Sequence, residues 1–257
     1  MPAEPATEVL MKKSYSPLQH FLAVLIALLL LFILLITATE GVVYRTPGWF
    51  EKEYTKYDVL SHVNGEMTME SALQVTDEYM AYLRGDRADL VVMTEIDGQT
   101  VEFFTDREKA HMADVRVLFI GALKLRRIGL LACGILLVLL LISLRGSVRR
   151  LPRLLHRDYT VTTLVVAAIA GVLSYLVSQD FTKYFTIFHH IFFDNDLWIL
   201  DPRKDNLINL LPEGFFRDTV VMIVVYFVCL VIAAWIVLLI LRRLTRPKPE
   251  AGKHDAR

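Results

Sequence analysis

Residues 128–157 read "IGLLACGILLVLLLISLRGSVRRLPRLLHR", two physical regimes back to back. From Ile128 to Leu144 no side chain is charged, and as a helix rising about 1.5 Å per residue this block nearly spans about 30 Å of hydrocarbon. Arg145, Arg149, Arg150, Arg153 and Arg157 then crowd into the next stretch. A block of this kind followed by clustered arginine is the sequence pattern of a membrane helix ending on the cytoplasmic side.

Three further blocks repeat the first regime: Phe21–Ala38, Val161–Val177 and Val220–Leu241. They account for an apolar content of 54% over 257 residues and a mean hydropathy of +0.44, high for a water-soluble domain. The first block follows Lys12 and Lys13 as a secretory signal would. Its apolar run is too long for one, and Ile36-Thr37-Ala38 is a poor cleavage site, so it reads as an uncleaved first helix. The fold class expected is an all-α membrane protein, with four transmembrane helices and a small α/β extracytoplasmic cap that includes a β-hairpin.

Lys12 and Lys13, the arginines after Leu144, and Arg242, Arg243, Arg246 and Lys248 all fall on one side of a four-span topology. By the positive-inside rule that side is the cytoplasm. The expected organisation is a cytoplasmic N-terminus 1–20, transmembrane helix 21–38 and an extracytoplasmic cap 39–127 with a helix leading into span 128–144. A cytoplasmic basic loop 145–160, span 161–177, an extracytoplasmic interfacial segment 178–219, span 220–241 and a cytoplasmic basic tail 242–257 follow. The formal net charge of +0 gives no reason to expect nucleic acid. Cys133 and Cys229 lie inside apolar blocks and read as small buried hydrophobes. The spans hold no acids or bases between their ends, which disfavours a channel or transporter.

The cap carries strong local signals. Met69, Leu73, Val75, Tyr79, Met80 and Leu83 lie near helical spacing, with Gly85 as a C-cap. Asp97-Gly98 sits between two β-prone arms, a hairpin signal. Thr105 and Glu108 have capping-box spacing and open a helix that carries His111 on its second turn. Glu108, His111 and Asp114, three apart, share one face. The acids of the cap outnumber its bases, and His20, His62, His156 and His254 read as ordinary structural or surface groups.

The second outer segment holds "FHHIFFDNDLWILDP", residues 188–202. Its aromatic residues suit an interfacial anchor, and its Asp, Asn and Pro residues suit turns. Neighbours on a helix point about 100° apart, so at most one of His189 and His190 faces an interior site. Imidazole, with an ordinary pKa of about 6.5, can take and return a proton near neutrality. His111 lies on the same side of the membrane, which makes an acid–base pair a candidate. A zinc set of His111, His189 and a carboxylate stays open, as in a metal-dependent membrane hydrolase, and so does a non-catalytic chaperone or sensor subunit. There is no G-x-S-x-G nucleophile elbow and no H-E-x-x-H metal helix.

"TDREKAHMADVRVLF" (105–119) together with "FHHIFFDNDLWILDPRKDNLINLLPEGFF" (188–216) resembles the bacterial lipoprotein intramolecular transacylase family of four-span membrane proteins. Arg107, Glu108, His111, Met112, Asp114 and Val115 match its R-E-x-x-H-M-x-D-V stretch. Phe188, His189, Ile191, Phe192 and Phe193 match F-H-x-I-F-F; Trp198, Asp201 and Pro202 match W-x-x-D-P; Pro212, Glu213, Phe215 and Phe216 match P-E-x-F-F. The resemblance implies an acyltransferase of the bacterial cell membrane acting on diacylglyceryl lipoproteins among membrane lipids. It moves an sn-2 acyl chain to the α-amine of the N-terminal cysteine, at an extracytoplasmic site and with no cofactor. It implies His111 and His189 as the catalytic pair, with Arg107, Glu108, Asp114 and Asp201 in support and His190 at a variable position.

Overall fold

The computed structural model describes residues 14–145 and 147–246; Lys12, Lys13, Lys248 and His254 of the sequence argument lie outside the described residues. In chain order the elements are α1 Pro17–Arg45, α2 Trp49–Lys56, α3 Met69–Arg84, β1 Met93–Ile96, β2 Gln99–Glu102, α4 Asp106–Ser143, α5 Leu151–Gln179, α6 Phe181–Phe192, α7 Asn206–Leu210 and α8 Glu213–Leu244, with a 3₁₀ turn at Val59–Ser61. Helices α1, α4, α5 and α8 are each long and apolar enough to cross a membrane, and the four expected blocks fall on them. In such helices the backbone satisfies its own hydrogen bonds and leaves apolar side chains on the outside. Leu131 is 71% exposed and Val172 62%, so these surfaces suit lipid. Of the basic segment 145–160, the part from Leu151 onward is helical. The part of α4 that precedes Ile128 adds roughly 33 Å at 1.5 Å per residue and carries His111.

The chain divides into two compact units. One comprises the stretches up to Phe32, Gly129–Ile169 and from Cys229 on. Its helices pack through a small apolar cluster of Leu22, Ala23, Ile26, Leu140, Leu144 and Leu154. Polar groups near the helix ends also tie them. Gln19 Nε2 donates to the Ser143 carbonyl at 2.9 Å, and His20 Nδ1 lies 2.7 Å from Asp158 Oδ2.

The other unit comprises Ile33–Ile128 and Ala170–Val228. Its core gathers Trp49, Tyr54, Val75, Tyr79, Phe103, Phe104, Met112, Leu210 and Phe215. Helix α3 begins at Thr68, whose side chain accepts the Ser71 N–H at 3.1 Å. It ends at Gly85, φ 92°, where Gly85 N–H donates to Tyr82 O and Asp86 N–H to Ala81 O. That pair of bonds is a Schellman close, and the left-handed backbone at its centre favours glycine.

Strands β1 and β2 pair antiparallel with Ile96 opposite Gln99, so Asp97-Gly98 forms the two-residue turn expected. Both turn residues have positive φ, 54° and 71°, the geometry whose twist matches paired strands. Asp97 also stitches the hairpin to the preceding loop. Its Oδ1 accepts the Glu66 N–H at 2.7 Å and its own N–H donates to Glu66 O at 3.0 Å. Asp97→Ala removes one of those bonds and puts a β-carbon-bearing residue without a local polar partner in left-handed backbone. The expected loss is about 1–2 kcal/mol. Thermal unfolding of the purified protein checks it, with far-UV helical content unchanged.

Candidate active site

Helices α4 and α6 bring two imidazoles together. The ring centroids of His111 and His189 are 6.1 Å apart and the ring planes meet at 33°. Each residue is 7% exposed. His190 turns outward, exposed, with its ring edge against Trp198 at 5.3 Å. The 100° step between helical neighbours separates the pair as the sequence argument requires.

The protonation state of His189 follows from its partner. Its Nδ1 lies 2.7 Å from the Phe185 carbonyl oxygen, one helical turn back. A carbonyl only accepts, so Nδ1–H donates, and in the neutral ring the lone pair is on Nε2. The ring stacks on Trp198 at 4.7 Å and 29°, and Phe185, Phe188 and Phe193 flank it at 4.4, 5.5 and 5.6 Å. Phe193 also meets the His111 ring edge-on at 5.2 Å. His111 Nδ1 is buried with no hydrogen-bond partner. An unpaired buried polar atom costs about 1–3 kcal/mol, and a substrate group that bonds it removes that cost.

These surroundings keep both imidazoles neutral. Burial pushes His111 down to about 4; the nearby His189 and Arg107 act the same way, and Asp114 opposes them. Burial also lowers His189, against the Phe185 carbonyl and helped by His190. At neutral pH each ring is therefore a base with a free lone pair, not a cation.

The other residues singled out from the sequence hold the second outer segment against α4. Arg107 Nη2 donates to the Asp196 carbonyl. Asp114 Oδ2 accepts Asn195 Nδ2 at 2.9 Å, while Asn195 Oδ1 accepts the Leu197 N–H at 3.0 Å. Glu108 is fully buried, its oxygens accepting the Thr105 N–H at 2.6 Å and the Leu207 N–H at 2.5 Å. Burial raises its carboxyl, opposed by those backbone donors. Asp201 lies apart from the rings and pairs with Arg203 at 2.9 Å, which holds its carboxyl down at about 2.

Several participants gave little notice in the sequence. Asp205 Oδ1 accepts the Thr105 hydroxyl at 3.0 Å and its Oδ2 accepts the Asp201 N–H at 2.8 Å. The one signal for it is an Asx residue just ahead of the apolar run Asn206–Leu210. Asn195 looks like any turn residue, and Phe193 like any interfacial aromatic. Among the described residues, no three His, Cys, Asp or Glu side chains gather into a group that could hold a metal ion.

Four helices long and apolar enough to cross a membrane, with two neutral imidazoles in an aromatic nest, define a multi-pass membrane protein with a candidate acid–base site. The family profile described as lipoprotein intramolecular transacylase Lit matches residues 24–216, most of the chain. The chain belongs to the lipoprotein intramolecular transacylase family and is an acyltransferase of that activity. Among solved structures it is similar to the membrane-integral lipoprotein intramolecular transacylase Lit from Bacillus cereus. That match has a TM-score of 0.67 and 19% identity over 88% of this chain and 98% of the other. A variant of the same protein with one histidine replaced by arginine matches at 0.65 and 18%, over 89% and 95%. No curated protein matches.

The buried neutral histidine makes stability depend on pH. Unfolded, His111 titrates near 6.5; folded, near 4. The unfolded chain binds more protons between those values, so stability is full above about pH 6.5 and falls as pH drops toward 4. Over that window His111 alone removes on the order of 3 kcal/mol. Unfolding temperatures measured across pH 4–7 are expected to fall on the acid side, and His111→Gln to flatten the profile.

Proposed function

We propose that the chain moves the sn-2 acyl chain of a diacylglyceryl lipoprotein onto the α-amine of its N-terminal cysteine, leaving an N-acyl lyso form. The observation that carries this reading is the pair of neutral imidazoles, 6.1 Å apart between ring centroids and walled by aromatic rings. The amine, with an ordinary pKa of about 8, attacks the ester carbonyl only after losing a proton. His111 acts as the main acid–base group and His189 as its partner. One imidazole takes the amine proton as the C–N bond forms, and a proton is returned to the glycerol oxygen as the C–O bond breaks. One proton leaves nitrogen and one reaches oxygen, so the exchange balances with no water and no outside energy source.

Donor and acceptor belong to the same molecule, so holding them in a reactive pose removes much of the barrier. The aromatic wall keeps water from competing for the acyl group. Arg107 contributes positive charge for the ester oxyanion or a headgroup. Asp114 and Glu108 serve by fixing α4 against the second outer segment, and Asp201 by shaping the turn that leads to Asp205. The basic residues support a topology with both termini and segment 145–160 in the cytoplasm and the site on the extracytoplasmic face.

Mass spectrometry of lipoprotein N-terminal peptides, from a host without another N-acylating activity, tests the reaction. Expression of the chain is expected to convert diacyl free-amine peptides to N-acyl lyso peptides; unchanged peptides from a well-expressed protein contradict the reaction. His111→Ala and His189→Ala are each expected to slow conversion by about 10²–10⁴-fold, and full conversion by either removes it from the site. Because His111 is neutral down to about pH 4, the amine governs the pH dependence. The rate is expected to rise roughly tenfold per pH unit from pH 5 and to level near 8. A rate that is flat over that range contradicts amine attack.

A further inference from the structure

A second assembly of charge lies in the unit that does not hold the histidine pair. Arg153, His156 and Arg157 from the first turns of α5, Arg242 from the last turn of α8, Arg246 just past it, and Tyr15 ahead of α1 line one open concavity of about 590 Å³. That volume is within the range of ligand pockets, about 300–1,000 Å³. Among the described residues no carboxylate lines it. Asp158, the acid nearest along α5, is buried and taken up by His20 at 2.7 Å.

One side of the concavity is braced. Arg242 Nη1 lies 3.2 Å from His156 Nδ1. A guanidinium only donates, so Nδ1 accepts and His156 is a neutral imidazole with its proton on Nε2. His156 is 6% exposed, and Nε2 is buried with no acceptor. An unpaired buried donor among four arginines is a group that calls for an anionic oxygen.

The level of the concavity identifies the anion. Val161 opens one apolar block, and Arg242 follows directly on another that ends at Leu241. The arginines therefore stand at the edge of the hydrocarbon, the depth of lipid phosphates. Trp235 lies about two turns inside Arg242, its ring 5.3 Å from His156 and its Nε1–H donating to Thr160 Oγ1 at 3.1 Å. Orientation by positive charge requires arginines on that side, but not that two helices converge on one hollow that no carboxylate of the described residues lines. We propose that this concavity binds the phosphodiester headgroup of an anionic phospholipid, whose acyl chains run along the exposed apolar residues Val161, Leu164 and Leu241.

Native mass spectrometry of the purified full chain in detergent tests the site, with phosphatidylglycerol and phosphatidylcholine of the same acyl chains as probes. One phosphatidylglycerol is expected to be retained at least roughly tenfold more tightly than phosphatidylcholine. Arg157→Gln with Arg246→Gln is expected to weaken phosphatidylglycerol binding roughly 10- to 30-fold, and the corresponding double lysine variant to keep it within about threefold. Arg84→Gln, in the other unit, is expected to leave it unchanged. Millimolar inorganic phosphate is expected not to displace the lipid. If the glutamine pair does not fold, Arg246→Gln alone, at an exposed position past α8, gives the same comparison with an expected loss of about fivefold. Equal retention of both lipids, or glutamine variants that bind like wild type, overturns the proposal. Displacement by phosphate alone assigns the hollow to the free anion and overturns the lipid as its ligand.

Discussion

A single buried carboxylate ties together the unit that carries the histidine pair. Glu108 sits in the first turn of α4 with no exposure, and its oxygens accept backbone N–H groups from residues 105 and 207. The first bond closes the capping box of its own helix; the second reaches the start of α7, 99 positions away. Burying a charge without partners is strongly unfavourable, so the carboxylate is stable there only when the second segment supplies its donor. The positive end of α4 adds to that stabilisation. Thr105 and Asp205 carry the same tie outward, and the Arg107 and Asp114 bonds repeat it at the 194–197 turn. With both segments fixed in this way, His189 arrives beside His111.

The nest that receives the two histidines explains their chemistry. Aromatic rings and burial remove the water that would stabilise imidazolium, so both rings stay neutral where an exposed pair would be partly charged. A neutral pair in a dry wall suits transfer of an acyl group between two atoms of one substrate, where a proton has only to be relayed from nitrogen to oxygen. A thermodynamic consequence goes with this: the unit that carries the pair is least stable in acid, because protonating the pair favours the unfolded chain.

The fold was legible wherever a short-range signal or a long apolar run carries it. Four blocks of hydrocarbon length fall on four long helices, and Gly85, Asp97-Gly98 and Thr105 with Glu108 form the cap, turn and box their spacing implies. Separate short helices at Trp49–Lys56 and Asn206–Leu210 were not anticipated, because neither is long enough to show a period. The pairing of His111 with His189 came from shared membrane side and family resemblance, not from spacing. No local pattern encodes a contact between residues so far apart, and the bonds that enforce it run to backbone groups, which look alike at every position. For the same reason Glu108 read only as a supporting residue of the site, while its oxygens accept backbone N–H groups from Thr105 and Leu207.

The claim that Glu108 fastens the second outer segment to α4 can be read directly from amide hydrogen exchange of wild type and Glu108→Gln at a temperature where both remain folded. The side-chain amide keeps the size of the carboxylate but offers only one accepting oxygen. Peptides covering 181–193 and 199–212 are expected to lose protection in the variant, while those covering Leu22–Ile26 of α1 and Val231–Trp235 of α8 keep theirs. Unchanged protection across 199–212 would contradict the account.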